Sequence, residues 1–225
     1  MALSGQVGTG TVEAEKVRAR ERVPGGDRPR CDGVAEFHRA YLTVSVKSCG
    51  TEPAPLHTRL AERYAAALDS ARRGPRPPAA WRPLFQYRHH PGVRPLQFAL
   101  AGLNAHIGYD LALAVVDTCH ALGCEPAAVE GEFDRAGDRL AALEEHILDD
   151  LAPGPDLLQI ADPLTHLLGC WNLERARDAA WSAARVLWGL RELPDLAEEF
   201  RQRTDSGVGL VGHCLLTPWR CPPWR

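Results

Sequence analysis

Lysine is nearly missing from this chain of 225 residues: only Lys16 and Lys47 are present, and the rest of the 26 basic residues are arginine. Against 29 acidic residues the formal net charge is -3, so no field of one sign is available to hold a phosphate backbone or an anionic lipid surface. Nucleic acid and membrane are therefore not expected partners. Arginine abundance of this kind, with the Ala, Gly and Pro content, reads as coding bias. Arginine clusters accordingly carry little weight as anion sites.

Paired cysteines are missing too. Cys31, Cys49, Cys119, Cys124, Cys170, Cys214 and Cys221 form an odd set with no CxxC, and several lie in apolar helical runs. They read as small buried thiols rather than a zinc knuckle or a disulfide framework. The first residues, MALSGQVGTGTVEAEKVRAR, contain no apolar core of a secretory signal. Together these features lead us to expect a reducing, cytoplasmic setting. There is no internal repeat, no heptad seam and no alternating strand pattern. HExxH and the ExxH of di-iron bundles are also absent.

Helical periodicity is what remains. An all-α, single-domain helical bundle is expected over residues 31–216, between a loosely packed tail at 1–30 and an irregular one at 217–225. Asp32 is placed to cap a first helix carrying Val34, Phe37, Tyr41 and Leu42. A second helix repeats Leu56, Leu60, Tyr64 and Leu68. The segment from Gly74 to Pro95 is crowded with proline and is expected to be a loop or short turns, pinned by Trp81, Leu84 and Phe85. His89 and His90 belong to that loop.

Pro95 then starts one long helix, Leu96 to Leu122, ended by Gly123. It is apolar nearly all round, which places it at the centre of a bundle. Its Asp110 alone would cost about 2.5 to 3.5 kcal/mol in a bilayer, so a membrane span is not expected. Further helices are expected over Glu130 to about Leu151 and about Pro163 to Glu192. A short one is expected at Leu193 to Arg203, and the tail from Ser206, with three glycines and then Pro218, Pro222 and Pro223, is expected to be non-helical at its end.

The central helix carries the chemistry. At about 100° per residue, His106, Asp110, Asp117 and His120 fall within roughly 80° of one another. Unpaired, such groups would each cost several kcal/mol in an apolar surrounding, so they need partners, protons, water or a metal. His106, Asp110 and Asp117 are the candidate catalytic residues. His106 and Asp110, an i, i+4 pair, are also the candidate metal ligands. The alternative is a buried polar network in which Asp110 orients His106 and an arginine from a neighbouring helix neutralises the second carboxylate. Arg177, Trp181 and Arg185 are one turn apart in sequence order. Guanidinium stacking on indole and a reach to the central carboxylates are both available to them. Asp162 and His166 read as a helix start at Pro163 rather than a site.

Four stretches carry a resemblance: EFHRAYLTV, AWRPLF, LQFALAGLNAHIGYDLALAVVDTC and ARDAAW. Over about residues 32 to 216 the chain resembles an uncharacterised, mainly actinobacterial family of helical proteins of unknown function. The resemblance implies a helical fold and a site that includes Asn104, His106 and Asp110, and it implies no activity. His38 stands where that family more often has Asn, and His213 is atypical of it. The expected function is a small-molecule enzyme using the His106/Asp110 pair for acid–base or metal-assisted chemistry in a core pocket that also involves Asn104, His120, Arg177, Trp181 and Arg185. A non-catalytic ligand- or partner-binding module is its rival. No cofactor is assigned, the partner expected is a small-molecule ligand, and the oligomeric state is left open.

Overall fold

The computed structural model describes residues 32–47, 54–73, 76–151 and 172–218. Among them every regular element is helical. The tail at 1–30, the Asp162/His166 pair and residues 219–225 lie outside the described residues.

The axis of the bundle is the long apolar helix. It begins as α4 (Pro95–Ala105), passes through a π turn at His106–Leu111 and continues as α5 (Ala112–Leu122). Its start is set by Pro95 and by a reciprocal bond in which Gln97 Oε1 accepts from the Arg94 amide at 3.0 Å. Its end is set by Gly123 at φ 61°, a conformation that suits a residue without a side chain. This helix is long and apolar enough to cross a membrane by length and composition, but 89% of its most apolar stretch is buried inside the protein. Among the described residues the covering helices are α1 (Gly33–Lys47), α2 (Pro55–Arg73), the short α3 (Arg82–Tyr87), α6 (Glu130–Leu151), α7 (Leu173–Gly189) and α8 (Pro194–Leu215).

The surrounding helices are one-sided. On α2 the buried residues are Leu56, Leu60, Tyr64, Ala67 and Leu68, which repeat at the spacing of one helix face. On α1 they are Val34, Phe37, His38, Ala40 and Tyr41. Asp32 caps α1 as expected, accepting from the Val34 and Ala35 amides at 3.0 and 3.4 Å, and it also pairs with Arg88 at the end of α3. Burial pushes the Asp32 carboxyl up, yet the Arg88 pairing and the two amides prevail and hold it below the ordinary carboxylate range.

Several expected boundaries need correction. The proline-rich segment contains a helix, α3, because Pro83 falls in its first turn, where a missing N–H leaves nothing unpaired. The described helix around Trp181 begins at Leu173, with Asn172 Oδ1 accepting from the Arg175 amide at 2.9 Å, a cap that makes Asn172 its natural start. The last helix is much longer than the expected Leu193 to Arg203. It runs on through Gly207, Gly209 and Gly212 to Leu215, and Gly209 and Gly212 lie on its buried side. Glycine weakens an isolated helix, but here packing against Ala79, Ala80 and Pro83 outweighs that propensity. Residues 217 and 218 are non-helical, as expected of the end.

Candidate functional site

The polar residues of the long helix all find partners, and they do so in different places. Gln97 Nε2 donates to the carbonyls of Leu215 and Thr217 at 2.7 and 3.0 Å, and Asn104 Nδ2 donates to that of Val208 at 3.1 Å. Both amides therefore fasten the far end of α8 to α4. Asn104 lies two residues from His106 but turns its amide nitrogen to this fastening.

His106 and Asp110 form a pair at the centre. Their side chains are 1% and 3% exposed, and His106 Nδ1 lies 3.4 Å from Asp110 Oδ2. The same oxygen accepts from the indole Nε1–H of Trp81 at 3.0 Å. Trp81 is itself wholly buried. Burial pushes the Asp110 carboxyl up, and it is opposed by the bond and charge of His106, the field of Arg63 and the Trp81 bond. Nδ1 is the ring nitrogen turned to Asp110, so Nε2 points to the other side of the ring.

Aromatic rings wall the imidazole. Tyr41 and Tyr64 stand at 5.3 and 5.9 Å between ring centroids, and Trp81 and Phe37 at 6.3 and 6.4 Å. Phe37 reaches this position because Gly102 faces it: a Cβ there would lie 2.3 Å from the Phe37 ring. His38 Nδ1 and the Tyr64 hydroxyl are 3.0 Å apart, so a second buried histidine borders the group. Another histidine, the half-buried His57 on α2, has its pKa lowered to about 4 by loss of water and by the positive fields of Arg139 and His106.

Asp117 and His120 are not part of this group. Asp117 is half-exposed and accepts from Arg63 Nε of α2 at 2.8 Å. His120 is exposed and lies against Trp188, 4.9 Å between centroids. The reason is the π turn. It takes about one residue more than an α turn, so residues beyond it lag a 100° projection by roughly one residue's rotation, and the expected stripe breaks. The expected arginine from a neighbouring helix does exist, and it is Arg63.

Arg177 does not reach the central carboxylates either. Its guanidinium lies over the Phe133 ring, 5.9 Å from the centroid, and 3.8 Å from Asp134, both on α6. Trp181 packs on Phe133 at 4.8 Å, and Arg185 is exposed. That corner joins α6 to α7. No group of three or more His, Cys, Asp or Glu side chains among the described residues converges as a metal site would require.

Trp81, Tyr41, Tyr64, Phe37, His38 and His57 were not anticipated as site residues. Each reads in sequence as core packing, a loop pin or an amphipathic-helix position. Only the AWRPLF stretch hinted that Trp81 was more than a pin.

A protein-family model described as a family of unknown function (DUF5995) matches residues 16–218. Neither the curated proteins nor the solved structures contain a match to the chain.

Proposed function

The chain thus belongs to this family of unknown function, and we propose that it is a cytoplasmic small-molecule enzyme in which His106 is the general base and acid. One observation carries this reading: a single oxygen of Asp110 meets both the Trp81 indole N–H and His106 Nδ1, inside a π turn of the buried helix. Irregular turns of this kind recur at functional sites. A carboxylate on Nδ1–H holds the imidazole in one tautomer and leaves Nε2 with the lone pair. When Nε2 takes a proton from a substrate, Asp110 faces the imidazolium that forms, and the Trp81 bond keeps the carboxylate oriented toward it. Tyr41, Tyr64 and Phe37 would offer an apolar, flat-sided surface to the substrate's body. Among the described residues a metal at the same place would find two donors, His106 and Asp110, so acid–base chemistry is better supported than metal-assisted chemistry.

The structural reading is favoured by a different observation, the near-complete burial of both side chains. A polar network closed off in this way also specifies a unique core packing. The two readings separate on the variant His106→Asn, assayed for turnover of a panel of model esters, amides and carbonyl compounds and for thermal stability. The acid–base reading expects turnover by the native chain that falls by about a hundredfold or more in the variant, with stability held or raised. No turnover of the panel by the native chain, with a variant several degrees less stable, would leave the network as the function of the pair.

A further inference from the structure

The buried pair is held from a distance by α8. Asp205 uses both carboxylate oxygens on two consecutive amides: Oδ2 accepts from Ala79 and Oδ1 from Ala80, each at 2.9 Å. These amides belong to the turn that leads directly into Trp81, whose own amide bonds to the Pro78 carbonyl at 3.1 Å. The backbone that carries the indole is thus set by a carboxylate 124 positions along the chain from Trp81, as 205 less 81 gives. One turn further on, Gly209 lets α8 lie directly on that backbone, since a Cβ there would be 2.5 Å from the Ala79 carbonyl oxygen.

A second hold comes from the same face of α8. Arg201 Nη1 donates to the Tyr109 hydroxyl at 2.6 Å, and Tyr109 lies on the π turn between His106 and Asp110. Arg201, Asp205 and Val208 are spaced i, i+4, i+7, so one stripe of α8 holds the Trp81 turn, the π turn and Asn104 together.

We propose that α8 positions the buried pair and that Asp205 is its principal positioning residue: by clamping the amides of Ala79 and Ala80 it sets the Trp81 indole on Asp110, and through Asp110 the orientation of His106. This deepens the acid–base reading, and its relevance to catalysis rests on that reading. The geometry it describes does not.

The test is a pair of NMR signals in the full chain. With six tryptophans and nine histidines present, the Trp81 indole N–H is assigned by its loss in Trp81→Phe and the His106 ring nitrogens by their loss in His106→Asn. Asp205→Asn retains one acceptor oxygen and puts a donor where the other stood. The expected result is an indole N–H that exchanges with solvent roughly tenfold faster, and a shift in His106 ring nitrogen frequencies. Leu140→Ala, which loosens the core at α6, should leave both signals in place. Unchanged signals in Asp205→Asn, or equal changes in Leu140→Ala, would overturn the proposal. Should Asp205→Asn fail to fold, Asp205→Glu, which displaces the carboxylate by one methylene, is read in the same way. Turnover is no part of this readout, so a chain without catalytic activity would end the acid–base reading and leave the positioning role of Asp205 standing.

Discussion

Asp110 shows how much one buried carboxylate depends on its donors. Its Oδ2 is shared by Trp81 and His106, and the indole is the closer of the two. Trp81→Phe keeps a ring to pack on Tyr64 and Phe85 but removes the donor. A buried acceptor left short of a partner costs about 1 to 3 kcal/mol, so urea unfolding should show a loss in that range, with the Asp110 carboxyl pushed further up. At this scale the sequence was informative about His106 and Asp110, because an i, i+4 pair on an apolar helix is visible in the spacing itself. Trp81 is 29 positions from Asp110, in a different element, and no spacing rule relates them.

At the scale of elements, α8 is the clearest case of packing outweighing propensity. Three glycines within six residues argue against a helix by intrinsic preference, and the chain nevertheless stays helical to Leu215. Gly209 is the residue that makes the close approach to Ala79. Gly209→Ala would improve helix propensity by about 1 kcal/mol in isolation. In the folded chain the added carbon meets backbone rather than a yielding side chain, so a net loss of about 1 to 3 kcal/mol is expected in thermal unfolding. A gain in stability would show that α8 can lift from the turn without cost. The π turn is the other element-scale result. Its six residues, HIGYDL, carry no composition that distinguishes them from an α-helical run, and its effect is to divide one expected stripe into a buried pair and two outlying groups.

For the whole molecule, a half-buried and a buried titratable group pull in opposite directions with pH. His57 has a folded pKa of about 4 against an ordinary 6.5, so its contribution to stability is full above 6.5 and is lost as the pH falls through 4. Asp110 is raised in the folded chain, so its contribution is present below the ordinary 3.8 and is lost as the pH rises through its raised value. Acidification from 6.5 to 4 is therefore opposed by His57 and favoured by Asp110. Replacing His57 with Asn should remove the first of these. Relative to the native chain, the variant should gain up to about 3 kcal/mol in urea unfolding at pH 4 compared with pH 7. A difference that does not change with pH would mean that His57 is not titrating in that window.

The sequence by itself determined the helical class, the central position of the Leu96 to Leu122 segment, the caps at Asp32 and Gly123, and the pairing of His106 with Asp110. These are local matters, fixed by apolar periodicity, by capping chemistry and by neighbours one turn apart. Only the tertiary structure decided that Asp117 belongs to Arg63, that Arg177 belongs to α6, that a glycine-rich end is helical, and that Trp81 is held by Asp205 and in turn holds Asp110. Each of those outcomes depends on how far the π turn rotates the helix beyond it or on which backbone a distant helix can approach. Both are properties of the packed bundle rather than of any stretch of chain.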